Sequence, residues 1–227
     1  WLNTSDTSQP MGITEYEAIG RLERALSNHA NEAYYELSLD EKRICEVVFK
    51  SLTEKGADNR GIRRPTSVAE LATIAECTPK EVVKVVEVFR KKGRTFLTPS
   101  PEVTLTNNSI VDISHESLMR VWDKLKIWVE EESNAVKMYI RLAESADLYS
   151  EGKANLWGPP DLQLAISWRE KQNPNLAWGT RYHQAFERTM VYLRTSEEEY
   201  IAEEENKIRL QKRALRRSRI FALVLGT

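Results

Sequence analysis

The run Asp112-Ile113-Ser114-His115-Glu116-Ser117-Leu118-Met119-Arg120-Val121-Trp122 carries the spacing most suggestive of chemistry. A strand-like pattern ends at Ile113, and a helical period follows through Leu118, Val121 and Trp122. A serine and a histidine at such a joint stand beside helix-start amides and the positive end of a helix dipole, a natural place for a phosphate. Ser114 and His115 are therefore candidate anion contacts. The same residues allow a plainer reading, in which Ser114 and Ser117 cap the helix and His115 satisfies a surface hydrogen bond. Arg63 and Arg64 lie among Gly, Asp and Asn residues between Ala57 and Pro65, where an exposed, positively charged loop is expected. That loop could add charge near a bound nucleotide or remain solvated.

Other chemistry is argued against. There is no glycine-rich phosphate loop followed by Lys-Ser/Thr, no nucleophile elbow and no Cys/His pair at useful spacing, so the chain is not expected to be an enzyme and no catalytic residue is assigned. Cys45 and Cys77 lack metal-ligand spacing, and His29, His115 and His183 are far apart, which speaks against zinc or a disulfide framework. A net charge of -1 removes any bulk attraction to nucleic acid or acidic membranes and leaves only local patches.

The elements that must position these residues read as mainly α. Hydrophobic residues at 41% and charged residues at 30% are ordinary for a globular chain, and sparse Gly and Pro favour helix. Residues 1–13 read as a polar linker without a signal-peptide pattern. A helical segment over 14–37 starts at Thr14 and carries Ile19, Leu22, Leu26, Ala30 and Ala33 on one stripe. Within 38–132 a helix starts at Ser38 or Asp40, Ser67 caps a short helix to Ala75, and Thr78-Pro79 opens a third to about Lys92. Thr95 to Thr98 and Ser109 to Ile113 then form a β-hairpin across a polar connection. Helix, short helix, helix, hairpin is the order of a winged helix. Residues 133–205 read as an arm of helical hairpins, broken at Glu151-Gly152, at Trp157-Gly158-Pro159-Pro160 and at Asn173-Pro174-Asn175, with a last helix from about Thr180. Trp122, Trp128, Trp157, Trp168 and Trp178 sit at helical spacing beside Leu and Val and are expected to be packing anchors.

Residues 206–227 form a basic juxtamembrane-like segment. An acidic run, Glu197 to Glu205, is followed by a basic one, Lys207 to Arg219, and then by Ile220-Phe221-Ala222-Leu223-Val224-Leu225. A basic cluster before an apolar run is how the cytoplasmic flank of a transmembrane helix looks, and it is also how a basic amphipathic end that packs on a downstream domain looks. Opening on Trp1 and stopping inside this run is the pattern expected of a segment of a longer protein.

Four stretches together resemble the region just after the ATPase core of novel STAND proteins, the signal-transduction ATPases. They are Ala25-Leu26-Ser27-Asn28-His29-Ala30-Asn31-Glu32-Ala33-Tyr34, Arg63-Arg64-Pro65, Gly93-Arg94-Thr95-Phe96-Leu97 and Ile113-Ser114-His115-Glu116-Ser117-Leu118. The resemblance covers roughly residues 13 to 135 and is loose beyond. It implies a nucleotide switch in a slow NTPase parent: the winged helix folds back on the ATPase core, and a histidine matched here by His115 touches bound ADP until exchange for ATP releases it. ADP and ATP would then be bound through the core, which this chain lacks. The implied partners are that core, downstream sensor repeats, a second copy on activation and a membrane at the C-terminus, in a cytoplasmic or membrane-tethered parent. Two alternatives stand beside it. One is a DNA-binding regulator using the helix from Pro79 to Lys92, whose Lys80, Lys84, Arg90, Lys91 and Lys92 are offset by Glu81 and Glu87. The other is a helical adaptor.

Overall fold

The computed structural model describes residues 21–56 and 60–225, so the expected linker and the helix start at Thr14 lie outside the described residues. The chain divides into two compact units, one up to Asn134 and one from Ala135.

In the first unit, helix α1 (Arg21–Tyr35) buries Ala30 and Ala33 completely. Helix α2 (Leu39–Ser51) opens with a capping box: the Ser38 hydroxyl accepts from the Glu41 amide, and the Glu41 carboxylate accepts from the Ser38 amide. Strands β1 (Thr53–Lys55) and β2 (Gly61–Arg63) form an antiparallel hairpin with Thr53 opposite Arg63. Strand β3 (Thr66–Ser67) leads into α3 (Val68–Ile74), which Ser67 caps. A second capping box, Thr78 with Glu81, opens α4 (Pro79–Arg90), and proline stands where a missing amide costs nothing. Strands β4 (Leu97–Thr98) and β5 (Ile110–Ile113) complete a three-stranded sheet in the order β3-β5-β4. Three helices closed by this sheet are a winged helix.

Its core explains why a valine-rich α4 is helical at all. Val82, Val85, Val86 and Phe89 are fully buried against Val48, Phe49 and Leu71, so packing outweighs the modest helix propensity of valine. Phe49 is at the centre, its ring 4.9 Å from Phe89 and 5.0 Å from Trp122 in edge contacts.

Two features differ from the sequence expectation. The stretch expected to be a charged loop to Pro65 instead supplies β2, held by backbone pairing that leaves no hydrophobic alternation to read. At Gly61 a Cβ would lie 2.9 Å from Met119 Sδ, so a larger residue there requires the Met119 side chain to shift. The helix expected from Ser114 is two helices, α5 (Ser117–Val121) and α6 (Asp123–Ser150), separated by Trp122 in an extended conformation. Trp122 is fully buried and its Nε1 donates to Asn31 Oδ1 at 2.9 Å.

In the second unit, the C-terminal part of α6 is joined by α7 (Asp161–Gln172), α8 (Leu176–Thr180) and α9 (Phe186–Leu225). Leu142, Ala146, Leu162, Ala165, Tyr192 and Leu193 form the core, with Trp157 and Trp168 packed on it. The final helix begins at Phe186 rather than near Thr180, because Asn175 caps a separate short helix that ends there. The Tyr139 hydroxyl donates to the His183 carbonyl at 2.9 Å, and burial pushes its pKa up to about 12. Trp122, Trp128 and Trp178 are buried, in keeping with their expected role as anchors.

Candidate functional site

Strand β5 delivers Asp112 and Ile113 to the edge of the winged helix, and the chain then turns outward. The Ser114 amide donates to the Phe96 carbonyl at 3.0 Å, which ties the joint to the residue just before β4. His115 follows, exposed, and its imidazole meets no hydrogen-bonding partner among the described residues. Its carbonyl accepts from Leu118, and that of Glu116 from Met119.

The helix-start argument is corrected by this geometry. Helix α5 has five residues, its N-cap is Glu116 in helical conformation, and no side chain caps it. Neither Ser114 nor Ser117 acts as a cap, and so short a helix offers little dipole. The positive charge comes from Arg63 instead. From β2 its Nη1 donates to Asp112 Oδ2 at 3.0 Å and to the Ile113 carbonyl at 3.2 Å, while Nε lies 3.9 Å from Glu116 Oε1. Arg63 thus spans the residues on either side of Ser114-His115. The Arg64 amide donates to the Leu52 carbonyl and its guanidinium lies 3.8 Å from Glu54. With Asp112 and Glu116 set against Arg63, the ground around His115 is not cationic, and the free imidazole is what it offers.

The surroundings of the second histidine are closed. His29 Nε2 donates to the Gly93 carbonyl at 3.1 Å, Nδ1 lies 3.2 Å from Glu32 Oε2, and the ring centroid is 5.3 Å from that of Phe96. Just past the end of α1, Glu36 is gripped by Arg94 and by Lys91, the latter at 2.9 Å. Hydrogen bonding first from Arg94 and then from Lys91 holds its carboxyl down at about 2. Glu36 and Asn31 were not singled out from the sequence, where each is an ordinary polar residue on a helix; only the lone arginine after Gly93 hinted at a partner.

The four stretches, separated by tens of residues in sequence, are therefore one connected patch of structure. His29 reaches Gly93, Leu97 pairs with Ile113, and Arg63 reaches Asp112 and Ile113. The family model of Novel STAND NTPase 1 matches residues 1–155. The chain belongs to this STAND family. No curated protein and no solved structure matches it. The match takes in the whole winged helix of this STAND chain and stops shortly after α6.

The face a DNA-binding winged helix would use is largely spent on internal pairing in this STAND-family chain. Lys84 lies 2.5 Å from Glu41 and Lys91 pairs with Glu36. Arg90 is buried, bound to Glu87 and donating to the carbonyls of Pro99, Ser100 and Val103 at 3.1, 2.6 and 2.7 Å. Among the described residues there is no cluster of His, Cys, Asp and Glu that could hold a metal, and no helix long and apolar enough to cross a membrane.

Proposed function

We propose that this segment is the regulatory winged helix of a STAND nucleotide switch, relaying the ADP or ATP state of an ATPase core to downstream sensor domains. The observation that carries the reading is the exposed, unpartnered imidazole of His115, presented on a joint that Arg63 and the Phe96 carbonyl hold in place. An imidazole so placed can donate to a diphosphate oxygen of a nucleotide held by another domain without first breaking an internal bond. Ser114 stands next to it, and Arg63 acts chiefly by fixing the joint. The pairing of α4 cations with carboxylates disfavours the DNA-binding alternative.

The test is a protein in which the neighbouring ATPase core is restored, purified as native and as His115→Ala, with bound nucleotide measured after denaturation. The native protein should retain ADP and the variant should lose it, with raised basal signalling. Equal retention in both would sink the role of His115.

A further inference from the structure

The distal part of α9 has no place in the switch just proposed and carries a separate chemistry. The helix has 40 residues, about 60 Å at 1.5 Å per residue. It enters the core of its unit through Phe186, Thr189, Tyr192, Leu193 and Ser196, whereas from Ile201 to Arg217 every side chain except that of Glu204 is exposed.

Within that exposed stretch the charges are not balanced along the helix. Lys207 pairs with Glu204 at 2.7 Å. Lys212, Arg213, Arg216 and Arg217, however, have no carboxylate three or four residues away in either direction, and Arg209-Arg213-Arg217 and Lys212-Arg216 place like charges at helical neighbour positions. At 3.6 residues per turn, Arg209, Lys212, Arg213, Arg216 and Arg217 occupy one half of the cylinder. Ile208, Leu210, Ala214 and Leu215 occupy the other together with Lys207 and Gln211, and Ile208, Leu210 and Leu215 there are 49%, 62% and 61% exposed. A basic half backed by a mostly apolar half, whose one cation, Lys207, has a stem long enough to carry its ammonium to the headgroups, and followed in sequence by the uncharged Ile220 to Leu225, is the composition of a helix that lies at a bilayer surface.

We propose that residues 207–217 of α9 dock on an anionic lipid bilayer, with the five cations at the headgroups and Ile208, Leu210 and Leu215 at the boundary with the acyl chains. An acidic protein strip, including Glu197 to Glu205 of a second copy, would match the charges but leave Ile208, Leu210 and Leu215 uncovered. A bilayer surface covers both.

The test is sedimentation of the full 227-residue chain with vesicles of phosphatidylcholine alone and of phosphatidylcholine mixed with phosphatidylglycerol. Binding is expected only to the mixed vesicles, falling as salt is raised. The quadruple variant Lys212→Gln, Arg213→Gln, Arg216→Gln, Arg217→Gln alters only exposed side chains, and should keep native helicity and bind on the order of a hundredfold more weakly. The pair Ile208→Ser, Leu215→Ser should weaken binding while leaving its salt dependence unchanged. Equal binding to both vesicles, no binding to either, or full competition by soluble glycerol phosphate at the same phosphate concentration would overturn the proposal. So would a dimer, seen by sedimentation velocity without lipid, that the quadruple variant abolishes.

Discussion

The regions around His29 and His115 use the same side chain to opposite ends. His29 is engaged on every side though 32% exposed, with a carbonyl on one ring nitrogen, a carboxylate near the other and Phe96 against the ring. His115 stands in solvent on a joint braced by its neighbours, with nothing hydrogen-bonded to the ring. A histidine whose hydrogen-bonding capacity is consumed within the fold contributes to stability; one whose capacity is unspent, on a backbone held firmly, is available to a ligand. The difference lies in what packs beside each residue, not in its type or in the elements it joins.

That comparison makes its strongest statement through His115→Ala. In the protein with its core restored, ADP affinity should fall by up to about a hundredfold, the worth of one charge-assisted hydrogen bond. Unfolding stability should stay within about 0.5 kcal/mol, as for an exposed residue with no partner. A large stability loss read by denaturant titration would show that His115 is structural after all. His29→Ala should do the reverse, costing about 1–2 kcal/mol in the same titration by giving up the Gly93 bond and the Phe96 contact.

A smaller effect sharpens the closed region. The Glu36 carboxyl sits at about 2 in the folded protein against 4.5 ordinarily. Its pairing therefore stabilises fully above about pH 4.5 and is lost as pH falls toward 2. Because the side chain is 46% exposed, solvent screening limits this to about 1 kcal/mol or less. Glu36→Gln should remove that share of the acid sensitivity between those pH values and leave the rest, including that of Glu41, held low by Lys84. If the acid limb of the stability curve does not change, the Arg94 and Lys91 contacts are not formed in solution. Arg63→Gln should have the least effect on folding, below about 1 kcal/mol, yet should loosen the joint and raise amide exchange at Ser114 and His115.

Much of the winged helix was legible because its signals are local. Ser38, Ser67 and Thr78-Pro79 mark helix starts by their own chemistry, and the apolar periods of α2 and α4 point at one core. What escaped was long-range and made by the backbone. Strand β3 is two residues paired with Val111 and Ile110, and the β1-β2 hairpin sets Thr53, Glu54 and Lys55 against Arg63, Ile62 and Gly61, so neither leaves an apolar alternation in side chains. The break at Trp122 interrupts an apolar period that continues on both sides, and only the bond to Asn31, far off in sequence, shows what the residue does there. For the candidate site, the joint at Ser114-His115 was visible as a change of period. The placement of Arg63 against Asp112 and Ile113 depended on bonds to residues some fifty positions away, which leave no local pattern.

Arg90 has a consequence for how this molecule can change over time. Its guanidinium gathers the carbonyls of Pro99, Ser100 and Val103, so the path of the loop between β4 and β5 is dictated from α4 through main-chain atoms alone. Side chains such as Leu105, packed on the core, and Ser109, bonded to Thr106, still hold the far end of the loop, but its first part owes its form to Arg90. That part can accept new residues and be retuned toward a new surface, while a single substitution at Arg90 would remove its form.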